Sequence, residues 1–433
     1  MNNNTILSVT QKESFALLSI GTFLEYFDLM LYVHMAVLLN ELFFPKTDPM
    51  TASVLAAFAF CSTYILRPLG ALVFGYIGDK IGRKATIVIS TTMMSISCLI
   101  MANLPTYAQI GITASVIVTG CRILQGLCTM GEVIGANIYL TEIAKPPMQY
   151  ILVGFIAVIG VFGGFAALGI ASFVTINIFD WRLAFWIGSV IALVGVFARL
   201  KMRETNEYVD AKKRVQKAIQ DIKKDTEFLK TNPILKEKVH HSTAIFLMII
   251  ECSWPICFYF GYIHCGEILK QSFGFTAEQV IHNNFVLSII QLIGWIITVC
   301  LSYKIYPIKI LKAKFYIFIS LVPIALYILG QNYSPIIILF IQSFFCIFGF
   351  MGTPAVPIFY RQLPVFKRFT YASFTYALSR ALIYLITSFG LVYLTRCLGH
   401  WAILAIIIPL APLYFMSLNY FEVRDLSNYD HIT

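Results

Sequence analysis

Long apolar runs separated by short polar breaks dominate the chain. The run from Ala244 to Ile263 holds a single charged residue, Glu251, and is long enough to cross the apolar core of a bilayer as a helix. Windows of about 20 residues predict a first set of spans at 14–40, 51–77, 85–104, 107–140, 150–175 and 182–202. They predict a second set at 243–269, 277–303, 313–330, 335–361, 370–395 and 399–421. The pattern indicates an all-α integral membrane protein with twelve transmembrane helices in two six-helix halves.

A charged stretch separates the two sets of six. Residues 203–238 hold 17 of the 54 charged residues of the chain. We therefore expect an N-terminal half at 1–198, a charged cytoplasmic linker at 199–242 and a C-terminal half at 243–433. Near-equal halves of this kind are typical of internally duplicated transporters.

Basic residues are distributed unequally between the two sides of the predicted topology. With the N-terminus inside, the inner segments carry 25 of the 32 Lys and Arg residues, the outer segments carry four, and Arg67, Arg122 and Arg380 fall within helices. Since cytoplasmic loops collect Lys and Arg, both termini are predicted to be cytoplasmic. The Lys and Arg residues collected on the cytoplasmic side of the lipid bilayer account for the net charge of +10. We therefore expect no nucleic-acid partner.

Composition narrows the class of protein. The chain is 58% hydrophobic and 12% charged, against about 25% charged in an average soluble domain, which argues against a soluble enzyme. Ten cysteines occur without a CxxC pair, and HExxH, GxSxG and GxxxxGK[ST] are all absent. We therefore expect no metal, no cofactor and no catalytic cluster.

The first predicted helix carries two carboxylates and a tyrosine at helical spacing. Glu25 and Asp28 lie three residues apart, and Tyr32 follows four residues later, so all three are expected on one face. A carboxylate inside a bilayer is costly unless it faces a polar cavity, pairs with a cation or binds a proton. The pattern favours a proton-coupling or substrate-binding site. The alternatives are a structural ion pair or a span placed in the wrong register.

Intramembrane arginines are the expected partners of these acids. Arg67 and Arg122 are fixed positive charges, and a change in their distance from a carboxylate would load or release a proton. Their alternative role is to lock helix packing. Glu132, between Gly131 and Gly135, is a further candidate. The buried candidates of the second half show no paired spacing; they are Glu251, His264, Glu267 and Arg380.

The loop after the second predicted helix carries the most specific motif. It contains Gly75, Gly78, Asp79, Gly82 and Arg83. Glycines permit a tight turn between helices, while Asp79 can accept hydrogen bonds from helix-end amides or from Arg83. This pattern predicts a gating loop that latches the cytoplasmic side shut. A simple topology determinant would need the basic residues but not Asp79 or the glycines.

The loop from Gly75 to Lys84 and the segment Arg122-Ile-Leu-Gln-Gly126 resemble signatures of the major facilitator superfamily. Within it, the chain resembles the metabolite:proton symporters over roughly residues 20–205, through the following segments: Glu25-Tyr-Phe-Asp28, Arg67-Pro-Leu-Gly70, Gln125-Gly126 leading to Gly131-Glu132, and Asp180-Trp-Arg182 leading to Arg203-Glu-Thr205. The segment Phe44-Pro-Lys-Thr-Asp-Pro49 is similar to the first external loop of the proline and betaine carriers in that family. The second half departs from the pattern, because residues 302–307 lack the Asp and Gly of a repeated loop.

The resemblance implies a bacterial inner-membrane carrier that symports a small polar solute with protons. A zwitterion such as proline or betaine would suit a site with both charges: Arg67 or Arg122 for its carboxylate, and Glu25, Asp28 or an aromatic face for its cationic end. Candidate aromatic faces are those of Tyr26, Tyr32 and Trp254. Two alternatives stay open: a proton symporter of an organic acid such as 2-oxoglutarate, and a transporter-like receptor that has lost transport, which the altered 302–307 loop favours.

Overall fold

The computed structural model describes residues 9–44, 64, 66–175, 180–200, 204–205, 207–213, 238–331, 334–387, 394 and 397–430. Every regular element within these ranges is helical. Eight of the described helices are long and apolar enough to cross a membrane. The protein has the all-α, twelve-helix architecture that the apolar pattern predicts.

Six main helices build the first half. They are α1 (Val9–Phe43), α2 (Arg67–Lys80), α3 (Arg83–Asn103), α4 (Ile112–Ile143), α5 (Met148–Thr175) and α6 (Trp181–Leu200). A short helix, Tyr107–Ile110, precedes α4. Helix α4 contains one wide, π-type turn at Met130–Ile134, a feature that often occurs at functional sites.

Six further helices build the second half. They are α7 (His241–Phe273), α8 (Ala277–Leu301), α9 (Pro307–Gly330), α10 (Pro335–Phe348), α11 (Val365–Leu385) and α12 (Leu404–Asp430). Helix α7 also has a wide turn, at Tyr259–His264. Short helices lie at Val356–Arg361 and Gly399–Ile403.

Two predicted spans differ from the observed helices. The span predicted at 335–361 is broken between α10 and the short helix Val356–Arg361, where Gly349, Gly352 and Pro354 interrupt the apolar run. The last helix continues to Asp430, because apolar and polar residues keep a helical alternation beyond 421. Most of the predicted linker and the start of the second span lie outside the described residues, and the proposed domain boundaries stay a prediction.

The two halves meet along two seams. In the α2–α11 seam, Gly75 and Gly78 leave room for Thr370 and Phe369. In the α5–α8 seam, Gly154 faces Val299. Small residues of this kind let helices approach closely inside a membrane. Ring pairs continue both seams: Tyr64 with Tyr384 at 4.4 Å, and Phe165 with Phe285 at 4.6 Å between centroids.

Candidate functional site

A cavity of about 150 Å³ lies between the two halves. A cavity of this size holds a molecule about as large as benzene. Helices of both halves supply its wall, including α1, α2, α4, α5, α7, α8 and α11. Polar and aromatic groups in the wall include Thr22, Glu25, Tyr26, Arg67, Asn137, Glu251, Trp254, Gln291, Trp295, Tyr376 and Arg380.

The first half presents one acid and one base to this cavity. Glu25 and Arg67 are both buried, with 3% and 2% of their surface exposed. Among the described residues, Glu25 Oε2 and Arg67 Nε have no hydrogen-bond partner. The Arg67 guanidinium lies 4.5 Å from the centre of the Tyr64 ring. Because buried polar groups are normally hydrogen-bonded, these two unpaired atoms single out Glu25 and Arg67 among the residues of the cavity wall.

The second half contributes an ion pair that the sequence did not single out. Arg380 Nη1 lies 3.0 Å from Glu251 Oε2, and the guanidinium stacks 3.3 Å from the centre of the Tyr376 ring. Both charged residues line the cavity. They are 129 positions apart in the chain, so no local spacing could pair them. The sequence indicates only that each of the two is a charged residue within an apolar run.

Asp28 lies behind the cavity wall, inside the first half. Its Oδ2 is 3.3 Å from Arg122 Nη1, and its Oδ1 accepts a hydrogen bond of 2.9 Å from Gln125 Nε2. Neither Asp28 nor Arg122 lines the cavity. Three residues advance a helix by less than a full turn, so Glu25 and Asp28 point in different directions from α1. Glu25 lines the cavity, whereas Asp28 contacts Arg122 and Gln125. Tyr32 lies on α1, but its side chain is outside the described part of the chain.

Glu132 lies in the wide turn of α4 and is buried. It accepts hydrogen bonds from Ser90 Oγ, at 3.2 Å, and from Thr91 Oγ1, both on α3. The next residue, Val133, lines the cavity, whereas Glu132 does not. The structure therefore places this candidate between α3 and α4, one residue away from the solute space.

The predicted gating loop is mostly helical, because Gly75, Gly78 and Asp79 lie in the last turns of α2, Arg83 begins α3, and only Ile81 and Gly82 lie between the two helices. This motif lies at one end of the α2–α11 seam. Asp79 accepts hydrogen bonds from the backbone N–H groups of Phe369, at 3.0 Å, and Thr370, at 2.9 Å. Arg83 is completely buried and donates to the carbonyls of Gly78, at 2.6 Å, and Val365, at 2.7 Å. The motif thus joins the first half to the start of α11.

Three residues that the motif does not contain complete this network. Arg83 Nη2 lies 2.9 Å from Glu142 on α4, which also lies 3.0 Å from Arg368 on α11. Arg368 pairs in turn with Glu207, at 2.9 Å. We call Asp79, Arg83, Glu142 and Arg368 the latch, and the end of the bundle where they lie the latch end. Side chains from distant helices form it, so sequence spacing could find only half of it.

The start of the charged linker also binds at the latch end. Glu204 accepts hydrogen bonds from the backbone N–H groups of Arg83 and Lys84 at the start of α3, at 3.1 and 3.2 Å. Gly82 precedes them with a φ of 144°, a conformation that favours glycine. Burial raises the pKa of the Tyr208 hydroxyl, although the nearby Arg83 opposes this. The protonated hydroxyl donates a 2.8 Å hydrogen bond to Lys80 O.

The corresponding loop of the second half makes a different set of contacts. The Tyr306 hydroxyl donates to Asp425 on α12 at 2.8 Å, and Lys312 pairs with Glu422, also on α12, at 2.5 Å. These contacts stay within the second half. Among the described residues, the α2–α11 seam is therefore the only one of the two seams where an acid of one half accepts hydrogen bonds from the start of a helix of the other half.

A twelve-helix bundle with a polar cavity between two halves defines a membrane carrier for small solutes. The sequence profile of the Major Facilitator Superfamily matches residues 18–391. The chain belongs to this superfamily, and it is a multi-pass membrane protein.

Similarity to characterised relatives is concentrated in part of the chain. The inner membrane metabolite transport protein YhjE of Escherichia coli is 35% identical over 46% of this chain and 47% of its own length. The proline/betaine transporter of E. coli is 34% identical over 43% of this chain and 39% of its own length. The matches span about half the length of such relatives.

Solved transporter structures share the fold over nearly the full chain. The proton:xylose symporter XylE of E. coli, bound to 6-bromo-6-deoxy-D-glucose, aligns with a TM-score of 0.73 and 15% identity, covering 95% of this chain and 94% of its own. The human organic anion transporter MFSD10 aligns with a TM-score of 0.67 and 12% identity, covering 95% and 99%. At these identities the likeness concerns the fold alone.

Proposed function

We propose that the protein symports a small zwitterionic solute, such as proline or betaine, with protons across a bacterial inner membrane. The observation that carries the proposal is that Glu25 and Arg67, a buried acid and a buried base that each have a polar atom without a hydrogen-bond partner, both line the cavity. A guanidinium suits the carboxylate of such a solute, and a carboxylate with nearby aromatic rings suits its cationic end. The names of the E. coli and related proline/betaine transporters support the same solute class.

The proposed orientation puts the latch end and both termini in the cytoplasm. The unequal distribution of Lys and Arg supports this topology. The cavity then faces a cytoplasmic side that the latch closes, so release of solute to the cell requires Asp79 and Arg83 to part from α11. Gly75 and Gly78 on α2 allow the close approach of α11, and Gly82 allows that of Glu204.

Two acids are proposed to couple the proton to the solute. Glu25 can bind a proton directly in the cavity, where a solute would meet it. Asp28 can do so when it separates from Arg122, because loss of the neighbouring positive charge strengthens proton binding. Glu132, held by two hydroxyl groups, is a third candidate, and Tyr32 is proposed to act with them from the same helix.

The first test is uptake of labelled proline and glycine betaine into vesicles containing the purified protein, with and without a proton-collapsing ionophore. We expect accumulation that the ionophore abolishes. Glu25→Gln should remove accumulation, whereas Glu267→Gln, the same change at an exposed carboxylate paired with Lys270, should not. Asp28→Asn should abolish accumulation against a gradient while solute exchange continues. Accumulation that survives both Glu25→Gln and Asp28→Asn would contradict the coupling proposal.

An organic acid is the second candidate solute. It is favoured by the two guanidinium groups, of Arg67 and Arg380, in the cavity wall, because a dicarboxylate could bind both. Labelled 2-oxoglutarate in the same vesicles separates the two candidates. Failure to take up any of the three compounds would favour a receptor without transport.

A further inference from the structure

Lys314 is a buried amine that the proposed transport site does not use. It lies on α9, about 10 Å along the axis from the start of that helix at Pro307, and only 7% of it is exposed. Its Nζ donates to Met351 Sδ at 3.2 Å, and a thioether is a weak acceptor. Among the described residues, it pairs with no carboxylate.

Within the described part of the chain, no group next to Lys314 supplies a compensating charge. The titratable groups that neighbouring helices bring to this region are the Cys257 thiol of α7 and the Tyr414 hydroxyl of α12. Tyr414 donates its hydrogen bond to the Met351 carbonyl at 2.7 Å. The ring of Phe318, one turn further along α9, lies 4.9 Å from that of Phe350, which precedes Met351 in the chain. An ammonium in such a site is costly, and the uncharged amine is favoured.

A neighbouring lysine on the same helix shows the contrast. Lys312 is partly exposed and pairs with Glu422. It therefore keeps a counter-ion and contact with solvent, which Lys314 lacks. The two residues differ in environment and not in chemistry, so Lys312 is the matched control.

Lys314 lies directly behind a residue of the cavity wall. Its contact residue Met351 lines the cavity wall, so the amine lies one side chain behind the solute space. The first half has a similar arrangement, since Ser90 lies equally far along α3 and contacts Glu132, next to the cavity-lining Val133. Glu132 in the first half and Lys314 in the second are thus ionisable groups one residue or one side chain behind the wall.

We propose that Lys314 is a proton-binding site of the second half. It is uncharged while the latch end is closed, as in this structure, and binds one proton when the latch end opens and water reaches α9. Opening then takes up a proton, so lower pH favours the open form and higher pH favours the closed form. The proposal concerns the opening step and holds whichever solute is carried.

The test measures opening directly, without solute. Spin labels on cysteines placed at the exposed Lys80 and Lys367, in a protein with Cys61, Cys300 and Cys397 changed to serine, report the separation of α2 and α11 by double electron–electron resonance. Between pH 6 and 9, we expect the ratio of open to closed protein to fall by up to tenfold per pH unit, the limit for one proton.

Variants identify the group responsible. Lys314→Met should keep the protein closed throughout this range, and Lys314→Arg, which retains its charge, should remove the pH dependence and raise the open fraction. Lys314→Gln serves as a second neutral variant if the arginine variant does not fold. Lys312→Met should retain the wild-type pH profile.

Two results would overturn the proposal: a wild-type distance distribution that does not change with pH, or the same pH dependence in Lys314→Met as in wild type. Neither result bears on proton symport by Glu25 or Asp28, because no solute or gradient is present. Likewise, failure of the uptake experiment leaves this measurement intact.

Discussion

Asp79→Asn is the substitution that tests the latch most directly. The Asp79 carboxylate accepts two backbone hydrogen bonds from the start of α11, from Phe369 at 3.0 Å and from Thr370 at 2.9 Å. It also lies 3.7 Å from Arg83 Nη1. Asparagine has nearly the same shape but one acceptor oxygen in place of two, and no charge. The variant therefore removes contacts between the halves without creating a cavity.

The magnitude follows from the two hydrogen bonds. A hydrogen bond to a charged group contributes about 1.5–3 kcal/mol, against about 0.5–1.5 kcal/mol for a neutral one. Losing one of them and weakening the other should cost the closed state roughly 2–4 kcal/mol. Since 1.4 kcal/mol is a factor of ten, the ratio of closed to open protein should fall by roughly 30-fold or more.

Thiol labelling measures this change. Ser373 is fully buried on α11, one turn beyond Thr370, and a cysteine at this position should react with N-ethylmaleimide only when the α2–α11 seam opens. Mass spectrometry of the labelled peptide gives the rate. We expect Asp79→Asn to accelerate labelling at least 30-fold and Asp180→Asn, an exposed aspartate paired with Arg182, to leave it unchanged. A rate within twofold of wild type for Asp79→Asn would refute the role of this residue in closing the seam.

Two further predictions concern packing and the linker. Gly163→Ala should lower the thermal stability of the purified protein, by about 1–3 kcal/mol, because a methyl group would overlap the Phe23 carbonyl; Gly120→Ala, where no atom lies within 4 Å, should not lower it. A thermal shift assay compares them, and equal midpoints would contradict the packing argument. Tyr208→Phe removes the hydrogen bond to Lys80 O that positions the Tyr208 ring beside Phe366 of α11. It should weaken closure by about 0.5–1.5 kcal/mol, seen as faster labelling at the buried α11 reporter; an unchanged rate would show that this hydrogen bond does not contribute to closure.

Features that are local in sequence could be predicted. Apolar length fixes the helices, because each span must bury its backbone polar groups in lipid. The cluster of glycines with Asp79 and Arg83 was visible in the sequence, although Gly75, Gly78 and Asp79 lie in the last turns of α2 and not in a loop. Its predicted role as a cytoplasmic latch remains a proposal, although the contacts with α11 support it.

Features that depend on distant helices could not be predicted. Glu251 and Arg380 become partners only when α7 and α11 pack together, and the same holds for Glu142 and Arg368 at the latch end. The different surroundings of Glu25 and Asp28 depend on where the cavity wall crosses α1. Periodicity gives the face of a helix but does not say which neighbour covers it.

The two seams between the halves are held by different kinds of contact. The α2–α11 seam carries hydrogen bonds to a charged group, whereas Gly154 and Val299 on the α5–α8 seam meet through apolar contact. We expect the α2–α11 seam to open and the α5–α8 seam to act as the hinge. The charged groups of the α2–α11 seam are buried while it is closed, so dissolved salt screens them little. Ionic strength should therefore change the closed form little, and when the α2–α11 contacts break while the apolar α5–α8 contacts remain, the two halves swing about one edge.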